Sequence, residues 1–182
     1  MSSRKKVIIA LDVQNNENFV SLSENLRGHA IYVKVGMELF YTKGPEIISE
    51  LKEMGFKIFL DLKLHDIPNT VYHATKTLIR LGVDILNVHA SAGFEAMQAA
   101  VKGRNEGVKE FGILNPPLLI AVTQLTSSNQ DTLKNDLLIN EKLEDVVNHY
   151  ALRAKDAGFD GVVTSAHEVK AIKKICGKDF LT

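Results

Sequence analysis

The chain has 182 residues, 45% hydrophobic and 24% charged, with 22 basic and 22 acidic side chains that cancel. A neutral balance gives no reason to expect binding to nucleic acid or an anionic membrane, and this length and apolar fraction suit one soluble domain over residues 1–182. The single cysteine, Cys176, excludes an internal disulfide framework and fits a reducing compartment, so a cytoplasmic location is the default expectation.

Residues 1–6 are polar and basic, and the apolar run behind them is short and broken by Asp12, which predicts neither a signal peptide nor a transmembrane span. In chain order, β-rich runs at 7–11, 31–35, 57–62, 85–89, 118–122 and 161–164 read as buried parallel strands. Amphipathic patterns at 16–26, 45–54, 68–81, 94–103, 141–157 and 166–175 read as the helices between them. Gly55, Gly82, Gly158 and Gly177 stand just after helices, and Ser165 with Glu168 has capping-box spacing before the last one. Strand and helix alternating in this way means βαβ units with right-handed crossovers.

Such a sheet is either doubly wound or a (β/α)8 barrel. Polar residues close the strands: Asp12 the first, Lys34 the second, Asp61 and Lys63 the third and His89 the fourth, with Thr123 and Thr126 after the fifth. Polar groups at many C-terminal strand ends are what a barrel active site requires. Neither a G-x-G-x-x-G after the first strand nor a Walker loop is present, which counts against dinucleotide and P-loop folds.

The densest signal is Phe59-Leu60-Asp61-Leu62-Lys63-Leu64-His65-Asp66-Ile67-Pro68-Asn69-Thr70. Strand alternation puts Asp61 and Lys63 on one face, and Asp66 follows past the strand end. Charges in so apolar a run need partners, because desolvating one alone costs several kcal/mol. The pattern reads as a compact site of alternating charge or as a structural ion pair beside a helix start. His65 lacks further ligands at metal spacing, His89 reads as a hydrogen-bonded wall residue before an acid or base, and His29, His73, His149 and His167 read as solvated. Residues 126–140 are long for a βα loop, either a cover for the barrel mouth or surface decoration.

Five segments together resemble the bacterial type of the orotidine 5′-phosphate decarboxylase family: Ile9-Ala10-Leu11-Asp12, Val33-Lys34-Val35-Gly36-Met37-Glu38-Leu39-Phe40, residues 61–70, Val88-His89-Ala90 and Val122-Thr123-Gln124-Leu125-Thr126-Ser127. The resemblance implies a (β/α)8 TIM barrel, a homodimer, and conversion of orotidine 5′-monophosphate to uridine 5′-monophosphate and carbon dioxide without metal or cofactor. It implies that Lys63 delivers a proton to C6 of the pyrimidine and that Asp61 lies against the departing carboxylate. Asp66, with Ile67 and Thr70, would reach into the partner's site. Lys34 would join the charge network and touch the ribose, Asp12 would bind a ribose hydroxyl, and Thr126 the pyrimidine edge.

The resemblance also implies a seventh strand beginning at Phe180-Leu181-Thr182, followed by a P-G-I-R loop and an arginine-bearing segment that grip phosphate. With the C-terminal strands absent, the expectation is a barrel domain incomplete at its C-terminus, its tail unrecorded. Two alternatives accompany the decarboxylase. One is a magnesium-dependent relative sharing D-x-K-x-x-D, such as 3-keto-L-gulonate 6-phosphate decarboxylase or hexulose 6-phosphate synthase, which places a glutamate metal ligand where Lys34 stands. The other is a non-catalytic nucleotide-binding dimer.

Overall fold

A computed structural model describes residues 7–12, 16–29 and 31–182, with the backbone only at 16 and 17. The basic segment 1–6 lies outside the described residues. Contacts group the chain into two compact units, one of residues 1–62, 75–86 and 104–117, the other of residues 63–74, 87–103 and 118–182.

The first unit holds β1 (Ile8–Ala10), α1 (Asn16–Leu26), β2 (Tyr32–Gly36), α2 (Met37–Lys43), α3 (Glu46–Glu53) and most of β3 (Lys57–Leu64). β2 pairs in parallel with both β1 and β3, in a register that sets Ala10 beside Lys34 and Gly36 beside Asp61. Val33, Val35, Ile58 and Leu60 are fully buried, as strands covered on both faces require. Helix α2 is an element the sequence pattern did not disclose. It has seven residues and follows Gly36 without a side-chain cap, and only Leu39 in it is buried, so no apolar stripe marks it. Glu38 in its first turn and Lys43 in its last, matching the helix dipole, are the signals that were there to find.

The second unit holds the end of β3, the first part of α4 (Pro68–Leu78), most of β4 (Ile85–His89), the start of α5 (Phe94–Glu110), β5 (Leu118–Val122), α6 (Leu143–Ala157), β6 (Gly161–Val163) and α7 (Val169–Cys176). β5 and β6 are parallel, and Leu181 continues the series through a parallel bridge to Gly161. Cys176 is a core thiol, and burial pushes its pKa up, with Lys155 opposing and Asp156 adding to the shift.

The strand order is β1-β2-β3-β4-β5-β6, each strand followed in the sheet by the next in sequence. A doubly wound sheet reverses direction at a switch point, and this order has none. The winding is that of a (β/α)8 barrel.

One device recurs at strand entries. After Gly82 and Gly158, both left-handed at φ 76° and 93°, come Asp84 and Asp160. Asp84 Oδ2 accepts the Ile58 N–H at 2.9 Å while its own N–H donates to the Ile58 carbonyl. Asp160 does the same with Leu119, accepting at 2.8 Å.

Helix α5 runs past the expected stop at Gly103, through Gly107, to Glu110. Gly103 is not a cap: a Cβ there would lie 2.5 Å from the Tyr72 carbonyl oxygen, so the glycine is where the α4 backbone comes close. Gly103→Ala gains about 1 kcal/mol of helix propensity, but overpacking against backbone costs about 1–3 kcal/mol, so a net loss is expected. Urea denaturation reads the sign, and a stabilised Gly103→Ala protein would show that α4 yields easily.

Candidate active site

In the first unit Lys34 joins two carboxylates. Its Nζ stands 3.1 Å from Asp12 Oδ1 and 3.4 Å from Asp61 Oδ2. The side chains are unequally wet: Asp12 is 65% exposed, Lys34 21% and Asp61 10%. At an effective dielectric near 20, the Lys34–Asp61 separation corresponds to about 5 kcal/mol of attraction, which offsets desolvation of several kcal/mol per ion. The pair adds little net stability, yet losing its cation would strand a buried carboxylate. Lys34→Met is therefore expected to cost about 3 kcal/mol in urea unfolding, and Asp12→Asn under about 1 kcal/mol because Asp12 is solvated. Equal small losses would show that Asp61 does not depend on Lys34.

Gly36 is a site residue that motif reading passed over. Its φ of −85° suits any residue, so the requirement is space. A Cβ there would sit 3.2 Å from Lys34 Nζ and 3.3 Å from Asp12 Oδ1, closer than the ion pair tolerates without shifting. Parallel pairing put Gly36 against Asp61, and register is the signal that identifies it.

In the second unit Lys63 departs from the expected alternation. Its φ is 52°, a left-handed conformation that costs a non-glycine residue roughly 1–3 kcal/mol and persists only where its surroundings hold it. Strand periodicity therefore describes β3 as far as Leu62 and does not fix the direction of the Lys63 side chain. The Lys63 N–H donates to Oδ1 of Asn87 at 2.8 Å. Asn87 is fully buried in β4 among the buried Ile85, Leu86 and Val88, with the half-buried His89 at the strand's end.

Past the strand, His65 is exposed and its ring centre lies 5.4 Å from that of the half-buried His89. Among the described residues no three His, Cys, Asp or Glu side chains group to hold a metal ion. Asp66, Ile67 and Thr70 are all exposed, Ile67 to 65%, where Pro68 opens α4. Asp66 Oδ1 accepts the N–H of Ile67 at 2.7 Å, shaping this turn. His29, His73, His149 and His167 are exposed, as expected.

Thr126 is exposed and lines a cavity of about 320 Å³ with Gln124, Ser128, Ser165, His167 and Glu168. Thr123 does not join it: the buried hydroxyl donates to the Val163 carbonyl at 3.1 Å and ties β5 to β6. Half of the expected capping box forms, with Glu168 Oε2 accepting the Ser165 N–H at 2.8 Å, and regular helix starts only at Val169. The 126–140 segment is tied to the residues that follow it. Leu133 is fully buried inside a π-helical turn at Thr132–Asp136, and Gln130 accepts from the Leu143 N–H and donates to the Glu141 carbonyl, both at 2.9 Å.

The family model described as orotidine 5′-phosphate decarboxylase / HUMPS matches residues 5–182. The chain belongs to that family. A curated relative, the orotidine 5′-phosphate decarboxylase of Halalkalibacterium halodurans, is 51% identical over 178 residues, covering 98% of this chain and 75% of its own. The Bacillus cereus enzyme of the same name is 48% identical over 178 residues, covering 98% and 74%. The family fold is evident in solved structures as well. An orotidine 5′-phosphate decarboxylase from Lactobacillus acidophilus superposes with TM-score 0.88 at 42% identity, over 96% of this chain and 78% of that one. An uncharacterised conserved protein from Geobacillus kaustophilus reaches TM-score 0.90 at 47% identity, over 96% and 80%.

Proposed function

We propose that this chain is an orotidine 5′-phosphate decarboxylase, converting orotidine 5′-monophosphate to uridine 5′-monophosphate and carbon dioxide in pyrimidine synthesis. The observation that carries this reading within the family is Lys34 between Asp12 and Asp61. The resemblance puts a metal-ligating glutamate at that position in the magnesium-dependent relatives, and an ammonium group there opposes a cation.

Loss of carbon dioxide breaks the bond to C6 and leaves its electron pair in an sp2 orbital that no π-system absorbs. The protein must supply positive potential and a proton at that atom. Lys63 does both: its ammonium stabilises the developing charge, gives a proton to C6, and recovers one from solvent afterwards. Asp61 lies against the substrate carboxylate and is relieved of repulsion as carbon dioxide departs, while transition-state electrostatics is the larger contribution. Asp12 and Lys34 hold the ribose hydroxyls, and Thr126 contacts the pyrimidine edge.

Dimerisation belongs to the same reading. Asp66, Ile67 and Thr70 are exposed in the single chain, and a large apolar side chain 65% exposed beside a carboxylate suits a face that meets a second copy. A cytoplasmic location accords with the buried free thiol of Cys176. Among the described residues no helix is long and apolar enough to cross a membrane.

The test follows orotidine 5′-monophosphate loss by ultraviolet absorbance, with magnesium added and then chelated. Turnover unaffected by the chelator is expected. Activity that disappears on chelation would favour the magnesium-dependent reading, and binding of the nucleotide without turnover would favour a non-catalytic dimer.

A further inference from the structure

We propose that Asn87 is a positioning residue that sets where Lys63 leaves its strand. The inference rests on the reading of Lys63 as the proton donor. Two observations support it independently. Asn87 is a fully buried amide between the buried apolar Leu86 and Val88, a placement that is unfavourable unless its polar atoms are engaged. Its Oδ1 accepts the Lys63 N–H at 2.8 Å, at the one residue of β3 with positive φ.

The side chain of an extended Lys63 would follow the alternation of Asp61. Asn87 accepts the N–H and so holds the Leu62–Lys63 peptide plane, and relative to that plane the φ of 52° turns the Cβ and the onward chain of Lys63 away from the extended path. The side chain then departs along a line fixed by this bond. A proton donor must meet C6 within hydrogen-bond reach, and a displacement near 1 Å is enough to lower turnover about 10²-fold.

The experiment compares Asn87→Leu, which keeps the branched shape but offers no acceptor, with the unmutated enzyme at a temperature where both are folded by circular dichroism. The expected result is a kcat lower by ~10–10²-fold, with KM and uridine 5′-monophosphate affinity within about threefold. Should Asn87→Leu not fold, Asn87→Ser carries the same test, because its shorter side chain falls short of the Lys63 amide. A kcat within about twofold of the unmutated value in the folded variant would overturn the inference, as would parallel losses of kcat, nucleotide affinity and folded fraction. Lys63→Ala run alongside separates the two claims. If it retains turnover, the reading of Lys63 fails, and if it is inactive while the Asn87 variants keep full kcat, only the positioning role fails.

Discussion

Lys63→Ala is expected to lower decarboxylation by at least ~10²–10⁴-fold, the range that general acid catalysis supplies, while nucleotide binding stays largely intact. The reasoning is one of division of labour. In the proposed reading ribose and base are held by groups other than Lys63, so truncating it removes an interaction made in the transition state and leaves ground-state binding in place. The measurement is kcat for orotidine 5′-monophosphate together with the dissociation constant of uridine 5′-monophosphate. Turnover within tenfold of the unmutated protein would remove Lys63 from the chemistry.

The second large effect is a restoration. Asp66→Asn and Lys63→Ala chains, each inactive alone, are expected to regain activity when mixed under conditions that exchange subunits. In the proposed shared-site dimer, one site of a mixed pair receives Lys63 from one chain and Asp66 from the other, and carries neither lesion. The second site carries both. Random exchange makes half of the dimers mixed, so about a quarter of all sites should be intact. The exposed Asp66, Ile67 and Thr70 motivate the experiment. No recovery after exchange has been verified by mass would count against a shared site.

The strands were legible because each is a short, almost wholly apolar run, and the β3 and β4 cores at Ile58, Leu60, Leu86 and Val88 are buried as that reading requires. The polar strand ends identified Asp12, Lys34 and Asp61 before their ion pairs were known, since a charge in an apolar run demands a partner. What was hidden depends on tertiary contact. Nothing local distinguishes Gly103, which sits where two backbones approach, from a helix-ending glycine. Nor does alternation reveal a left-handed Lys63, because the bond that holds it comes from Asn87, 24 residues away in sequence. Asn87 itself looked like one polar residue in a strand. Its meaning lies in which amide it faces.

The central claim is tested most directly by incubating the purified protein with orotidine 5′-monophosphate labelled in the carboxylate, and measuring released carbon dioxide and uridine 5′-monophosphate together. Lys63→Ala protein prepared in the same way serves as the control. The account predicts equal amounts of the two products from the unmutated protein and none above background from Lys63→Ala. Release of neither product, or equal release from both proteins, would contradict it.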